Sequence, residues 1–270
     1  MSVADELRRW LPSPLLKGSA AFHVAAVAAV AAGPAIWPLA VGGLIANHLI
    51  ISACGLVPRA AILGPNLTRL PPTGSAPAIA ITIDDGPDPE VTPKVLEILE
   101  RYQARATFFC IGTRVASFPD IAREIVRRGH SIENHSLNHF YRFSTLGPGL
   151  MSNEISGAQE LITTVVGTAP RFFRAPAGLR NPFLEPILLR MGLRLASWTR
   201  RGFDTVARDP DVVRGKLLKR LAARDILLLH DGNAARTPGG VPVILEVLPK
   251  VLDAAALAGL RTLTLAGAFS

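Results

Sequence analysis

Charged residues are missing from one long N-terminal segment and recur regularly through the rest of the chain. Residues 18–58 contain no Asp, Glu, Lys or Arg, a run of roughly 40 residues, whereas about 20 residues cross the hydrocarbon core of a bilayer. Gly33-Pro34 and Trp37-Pro38 interrupt this run near its middle. The pattern therefore predicts a hairpin of two transmembrane helices, over about residues 19–37 and 38–57.

Other arrangements of this N-terminal anchor, residues 1–60, compete with the hairpin. The alanine-rich half at His23–Ala32 is only weakly hydrophobic, so one span plus an interfacial segment stays open as an alternative. A cleaved secretory signal is disfavoured because the apolar run is too long and Asp5 and Glu6 precede it. Cys54 resembles a lipoprotein processing site but lies too far from the start of the chain.

Apolar and amphipathic stretches alternate after the anchor. Residues 61–77 contain several prolines and are predicted to be a linker, and residues 78–270 form the next domain. We predict strands at 78–83, 106–111, 130–134, 171–174, 194–198, 225–229 and 259–264. We predict helices near 91–103, 118–128, 150–166, 182–191, 210–222 and 242–258. Repeated strand–helix units are typical of a parallel sheet with outer helices, and seven strands favour an α/β barrel.

Composition and charge indicate which kinds of partner the protein is expected to bind. The chain has 270 residues, a net charge of +8 and a sequence pI near 10.3, which suits an anionic membrane surface. Only 6% of residues are aromatic, and no Lys/Arg run or nucleic-acid motif occurs. We therefore expect no nucleic-acid partner, and nothing implies a protein partner. Two cysteines form neither a disulfide framework nor a metal-binding spacing.

Two adjacent carboxylates, Asp84 and Asp85, follow the first predicted strand of the domain, and Gly86-Pro87 ends it. The carboxyl ends of parallel strands carry the chemistry of barrel and open α/β folds. Adjacent side chains project in different directions. One carboxylate can therefore bind a cation while its neighbour takes a proton.

Paired histidines follow the third predicted strand. His135 and His139 have the i, i+4 spacing with which a helical turn presents two imidazoles to zinc. Combined with Asp85, they complete a set of two histidines and one carboxylate. Such a set leaves coordination positions open for water and substrate.

Two later strands also end in polar residues. Arg174 precedes a Pro/Gly turn, where a guanidinium can bind a carboxylate and backbone N–H groups can face an oxyanion. His230 ends a strand that carries Leu228 on the same face, a position suited to a general acid. Asp231 is assigned to the following turn.

These blocks together resemble the five motifs of the polysaccharide deacetylase (NodB-homology) family: TIDDGPD, HSLNH, RAPAG, WTRRGFD and LLLHDG. The resemblance covers roughly residues 76–268. It implies a distorted (β/α)7 barrel, here preceded by the transmembrane hairpin. It also implies a metal-dependent hydrolase that removes N-acetyl groups from amino sugars.

Site residues are carried over from the resemblance one by one. It implies three metal ligands, Asp85, His135 and His139, for a divalent ion that is by default Zn²⁺, with Co²⁺ or Ni²⁺ as alternatives. Asp84 matches the catalytic base, and Arg174 matches the residue that orients it. His230 matches the acid, Leu228 lines the acetyl pocket, and the N–H of Ala177 faces the oxyanion.

The chain departs from the family pattern in two motifs. Ala177 stands where an aromatic residue is common, which keeps a backbone donor but removes a side-chain contact to sugar. In the fourth motif Arg201 replaces an Asp and Thr205 replaces a Trp. Asp204 is then the one candidate there to tune His230, and Arg201 is available to contact an anionic substrate such as a phosphate.

Orientation in the membrane sets the expected substrate. Basic residues lie on both sides of the hairpin, namely Arg8, Arg9 and Lys17 before it and Arg59 and Arg69 after it. If positive charge stays inside, two spans place the catalytic domain on the cytoplasmic side of a bacterial inner membrane. We then expect a polyprenyl-phosphate-linked N-acetylated or N-formylated amino sugar, used in lipid A or envelope modification.

Two other functions remain. A single span would place the domain in the periplasm, where peptidoglycan or another polysaccharide is the substrate. A catalytically inert sugar-binding domain is disfavoured, because a binding module needs no combination of base, metal site and acid.

Overall fold

The computed structural model describes residues 10–72 and 76–269. Its N-terminal part is a hairpin of two helices, α1 (Pro14–Ala32) and α2 (Trp37–Gly55), joined by a 3₁₀ turn at Pro34–Ile36. Both are long and apolar enough to cross a membrane, with a mean hydropathy of 1.6 each. Most of their side chains are exposed to the surroundings. The first helix begins five residues before the predicted start at residue 19, because Ser13 caps it and Pro14 occupies its first position.

A parallel sheet of eight strands follows the hairpin and curls into a barrel. The strands are β1 (Ala78–Asp84), β2 (Ala106–Cys110), β3 (Ser131–Asn134), β4 (Phe172–Phe173), β5 (Arg194–Leu195), β6 (Arg200–Arg201), β7 (Ile226–His230) and β8 (Arg261–Thr262). Their order is β5-β4-β3-β2-β1-β7-β6, and β8 pairs with the first two residues of β1. The predicted α/β barrel class is confirmed.

The helices lie outside this sheet and close to their predicted positions. They are α3 (Val91–Arg101), α4 (Gly112–Ser117), α5 (Pro119–Arg127), α6 (Pro148–Val166), α7 (Leu184–Arg190), α8 (Pro210–Leu218), α9 (Val243–Leu257) and α10 (Leu265–Ala268). Two short helices were not predicted, α4 with six residues and α10 with four. Such short helices show little hydrophobic periodicity.

The predicted fifth strand, 194–198, was wrong in length. β5 contains two residues, and β6, which was not predicted, begins at Arg200. These two strands are the open edges of the sheet, and a chain segment just before the domain lies between them. Leu67 N donates to Leu195 O (2.9 Å), Ser197 N donates to Leu67 O (2.8 Å) and Leu70 N donates to Arg224 O (2.9 Å). The barrel is therefore distorted because residues 67–70 join its edges through isolated bridges, Leu67 with Ala196 and Arg69 with Asp225, and not through a regular strand.

Side-chain alternation places polar residues at one end of the barrel. In β1, Ile79, Ile81 and Ile83 pack toward the outer helices, so Ala80, Thr82 and Asp84 face the interior. In β7, Ile226 and Leu228 belong to the interior cluster with Phe109, Phe172 and Trp198, and His230 continues that face. The interior is thus apolar along its length and carries acidic and basic groups where the strands end.

Candidate active site

A buried ion pair joins the ends of β1 and β4. The Asp84 Oδ1 atom accepts a hydrogen bond from Arg174 Nη1 at 2.6 Å, and both side chains are almost fully buried. Arg174 also donates to Thr82 Oγ1 (2.8 Å), Ala196 O (3.1 Å) and Ser197 O (2.7 Å), and its guanidinium lies 4.0 Å from the centroid of Phe109. Because so many contacts hold Arg174, Asp84 is fixed in one orientation.

Asp85, His135 and His139 form a cluster beside this ion pair. The Asp85 Oδ1 atom lies 3.2 Å from Nε2 of His135 and 3.2 Å from Nε2 of His139. The three ligand atoms all lie within 4.8 Å of one another. Burial would raise the pKa of Asp85, but the adjacent His135 holds it well below its usual range. Burial lowers the pKa of His139, which favours the neutral ring that metal binding requires.

The donor set fits a divalent metal ion. His135 Nδ1 lies 2.8 Å from the carbonyl oxygen of Arg174; an oxygen there only accepts, so Nδ1 carries a proton and Nε2 is the atom that faces Asp85. Burial lowers the pKa of His135, but Asp84 and Asp85 outweigh this effect and raise it, so a metal ion bound here would replace the proton on Nε2. Asp85 Oδ1 is buried and has no hydrogen-bond partner among the described residues. Ligand atoms this close to one another are stabilised by a cation between them, either a proton or a metal ion.

The loop that carries the two histidines is not the helical turn that their spacing suggested. Ser136 and His139 have positive φ angles of 65° and 53°, so the chain folds back on itself and brings the rings to 4.8 Å between centroids. Buried Glu154 on α6 accepts hydrogen bonds from the backbone N–H and the side chain of Asn138. Hydrogen bonds within the loop, and not helical periodicity, set the geometry of the histidine pair.

His230, at the end of β7, is paired with Asp204. Its Nδ1 lies 2.8 Å from Asp204 Oδ1, and its backbone N–H donates to Asp204 Oδ2 at 2.7 Å. Asp204 is fully buried. Burial lowers the pKa of His230, but the Asp204 carboxylate outweighs this effect, and the pKa rises to about 9. The ring is therefore protonated at neutral pH, and its Nε2–H remains for a ligand.

These groups share one cavity of about 290 Å³. Leu228, Ala177 and Arg201 line it together with the Asp84, Asp85 and histidine side chains. Ala177 has a φ of 55°, and the hydrogen bonds of its turn are donated by Gly178 and Leu179. Eight of the ten predicted site residues line this cavity: Asp84, Asp85, His135, His139, Ala177, Arg201, Leu228 and His230. The other two, Arg174 and Asp204, are bonded to Asp84 and His230 from outside the cavity lining.

Sequence reasoning missed three residues of this site. Asn233 donates to Asp85 Oδ2 at 3.1 Å, Trp198 lies against Arg174 and Arg201, and the exposed ring of Tyr141 lies 6.3 Å from that of His139. The WTRRGFD block contained Trp198, but no spacing pointed to Asn233 or Tyr141. Both lie on loops beyond the motif residues, where no periodicity exists to show their orientation.

Comparison with known proteins agrees with this geometry. A family model for polysaccharide deacetylase matches residues 72–196. The chain is 35% identical over 175 residues to a peptidoglycan-N-acetylglucosamine deacetylase of Bacillus cereus, covering 64% of this chain and 81% of the relative. It is 36% identical over 161 residues to a chitooligosaccharide deacetylase of Azorhizobium caulinodans, covering 59% of this chain and 76% of the relative.

A solved structure shows the same fold. Wild-type BA3943, a CE4 family pseudoenzyme from Bacillus anthracis, matches with a TM-score of 0.67 at 21% identity, over 76% of this chain and 69% of that chain. The barrel, the family model and relatives matched over most of their own length lead to one assignment. The chain belongs to the polysaccharide deacetylase family.

Proposed function

We propose that this protein is a metal-dependent carbohydrate N-deacetylase, and that its substrate is a membrane-borne amino sugar linked to a polyprenyl phosphate. The observation that supports the chemistry is the single cavity shared by a metal-type cluster, a fixed carboxylate and a protonated histidine. The fold alone does not decide activity, since BA3943 shares it and is described as a pseudoenzyme.

Asp85, His135 and His139 would hold the ion. When bound, a divalent ion polarises the acetamide carbonyl and lowers the pKa of water. Asp84 takes the proton of the attacking water through the oxygen that does not face Arg174, and Arg174 keeps this carboxylate oriented. His230 donates its proton to the departing amine nitrogen as the C–N bond breaks, and Asp204 stabilises the charged ring.

Two further residues would position the acyl group. The N–H of Ala177 would donate to the oxygen that gains charge as water adds to the carbonyl. Leu228 lines the cavity on the strand face between Ile226 and His230, so its side chain would contact the methyl group of an acetyl substituent. The products are acetate and a free amino sugar.

Contacts between the hairpin and the barrel support a membrane-borne substrate. Arg180 N donates to Gly55 O at the end of α2 (3.1 Å), and the Arg180 side chain donates to Ala60 O and Gly64 O. A Cβ atom at Gly178, which lines the cavity, would lie 2.7 Å from Pro58. The chain that leaves the apolar hairpin is therefore packed against the rim of the active site.

A polysaccharide substrate is the second candidate. The two relatives are named for peptidoglycan and chitooligosaccharide, and a domain anchored outside the cytoplasm would meet such polymers. This reading shares the chemistry of the first and differs in the compartment and in the carrier of the sugar.

Replacing Asp84 with Asn tests the chemistry. The change preserves shape but removes the base, so we expect turnover of an N-acetylated amino sugar to fall by about 10²- to 10⁴-fold, with zinc stoichiometry unchanged. Acetate release and zinc content are measured on the purified full chain. Glu160→Gln, an exposed change on α6, serves as the control. Undiminished turnover in Asp84→Asn would contradict the assignment of the base.

A further inference from the structure

Arg201 lines the cavity wall but has no role in the proposed deacetylation steps. It lies on β6 opposite Leu228 of β7 and lines the same cavity as the metal-type cluster and His230. Arg201 makes this part of the cavity wall basic.

The Arg201 guanidinium has no anionic partner among the described residues. Its Nε–H group is buried and donates to no carboxylate or carbonyl in the part of the chain that the structure describes. Neighbouring arginines differ: Arg200 pairs with Asp225, and Arg174 pairs with Asp84. A buried guanidinium nitrogen without an acceptor is costly unless a ligand supplies one.

Aromatic rings orient this guanidinium in place of an ion pair. Its Cζ atom lies 5.4 Å from the ring centroid of Trp198 and 4.8 Å from that of Phe203. Lys216 Nζ lies 4.9 Å from the same Phe203 ring. Phe203 has a φ of 63°, a conformation that an aromatic residue adopts at a cost. Two cations therefore converge on the Phe203 ring, and the Arg201 guanidinium, which lines the cavity, is held by aromatic rings and not by an anion.

The geometry points to a subsite at Arg201 for a phosphate group carried by the substrate, with Lys216 adding positive charge at its outer edge. A guanidinium that is held flat by stacking donates two parallel hydrogen bonds to a phosphate. The inference rests on the proposed function, because it places the phosphate on the same molecule as the amino sugar whose acyl group is removed.

The subsite lies on the wall next to the chain that leaves the hairpin. Ser197 Oγ donates to Pro58 O at 2.8 Å, and Arg59 donates to Thr199 O at 2.9 Å. Ser197 and Thr199 flank Trp198, the ring on which Arg201 is stacked. A phosphate that links a sugar to a membrane lipid would reach the cavity from this side.

Binding in an Asp84→Asn background tests the subsite without turnover. The zinc-loaded full chain in detergent is titrated with N-acetylglucosamine 1-phosphate and with methyl N-acetylglucosaminide, and both affinities are measured by calorimetry. We expect Arg201→Gln to weaken binding of the phosphate-bearing sugar by about 10- to 100-fold, as for a lost charge-assisted hydrogen bond. Binding of the neutral sugar should change by less than about threefold.

Arg101→Gln, an equal change of charge at an exposed position on α3, is the matched control and should leave both affinities unchanged. Equal weakening of both sugars by Arg201→Gln, or weakening of neither, would overturn the subsite. A third titration, with the same sugar on polyprenyl phosphate in phosphatidylcholine vesicles, distinguishes a lipid-borne phosphate from a soluble one. Arg201-dependent binding of either phosphate-bearing probe supports the subsite.

Failure of the subsite and failure of the proposed function give different results. In one case the enzyme with Asp84 intact releases acetate, and Arg201→Gln prefers the phosphate-bearing sugar over the neutral sugar to the same degree as the parent protein. The subsite is then wrong and the deacetylase function stands. If Arg201-dependent phosphate binding occurs but no N-acetylated sugar is hydrolysed, the deacetylase function is wrong and the anion subsite stands.

Discussion

The Asp204 carboxylate determines the protonation state in which His230 meets a substrate. Desolvation by itself lowers the pKa of a histidine, yet the hydrogen bond and the charge of Asp204 raise the pKa of His230 to about 9. A general acid must hold its proton at the working pH, and the Asp204 carboxylate keeps His230 protonated there. From the sequence, Asp204 was the candidate to tune His230, but its role stayed open because Arg201 and Thr205 alter the fourth motif around it.

We expect Asp204→Asn to move the alkaline limit of activity to lower pH. In the parent protein the protonated form of His230 is lost as the pH rises through its raised pKa. Without the Asp204 carboxylate, the largest effect that opposes burial is lost, so the pKa of His230 falls from its raised value. Deacetylation at pH 8 should then fall by about 10²-fold and recover partly at lower pH.

The pH dependence of kcat/KM from pH 5 to 10 is the measurement. Asp209→Asn, an exposed change on the same connection before α8, is the control. An unshifted alkaline limb in Asp204→Asn would contradict the role of Asp204 in keeping His230 protonated. A parallel loss at every pH would point to a folding defect instead.

At the scale of elements, the barrel is closed by a segment that precedes its first strand. Leu70 is completely buried in the interior cluster with Ile226 and Leu228, and residues 67–70 bond to the chain at the end of β5 and to residues 224–225 just before β7. The prolines around this segment are typical of a linker. A single short extended segment shows no alternation of apolar and polar residues, so its pairing with the barrel could not be predicted from the sequence.

Leu70→Ala should destabilise the barrel by about 2–5 kcal/mol, because truncation leaves a cavity in a closely packed interior. Leu257→Ala at a position that is 91% exposed should change the free energy of unfolding by less than about 0.5 kcal/mol. Urea unfolding of the two variants in the same detergent measures the difference. Equal free energies of unfolding for both variants would mean that the packing of Leu70 in the barrel interior does not stabilise the domain.

At the scale of the whole molecule, the apolar hairpin and the active-site rim are adjacent. The hairpin of two helices of membrane-spanning length ends at Gly55. Residues 58–66 then fold against the barrel through Ser197 and the Arg180 side chain. We expect the catalytic domain to lie within reach of lipid headgroups, on the side of the membrane where both ends of the hairpin emerge.

We predict that the carboxyl terminus is cytoplasmic, because two spans return the chain to the side of its basic N-terminal flank. Reporters that are active only in the cytoplasm or only in the periplasm, each fused after Ser270, measure this. Deleting α2 leaves one span and should move the reporter to the opposite side. A periplasmic carboxyl terminus in the intact chain would contradict the two-span reading and favour a polysaccharide substrate.

The sequence by itself determined the α/β class, the apolar hairpin and the strand ends that carry chemistry. These features are local, because strand alternation and an abrupt Pro/Gly turn define which side chains leave each strand end. The tertiary structure decided what those side chains contact. The Asp204–His230 pair, the looped geometry of His135 and His139, the closure by residues 67–70 and the unpaired Arg201 all depend on contacts between distant segments, which no periodicity encodes.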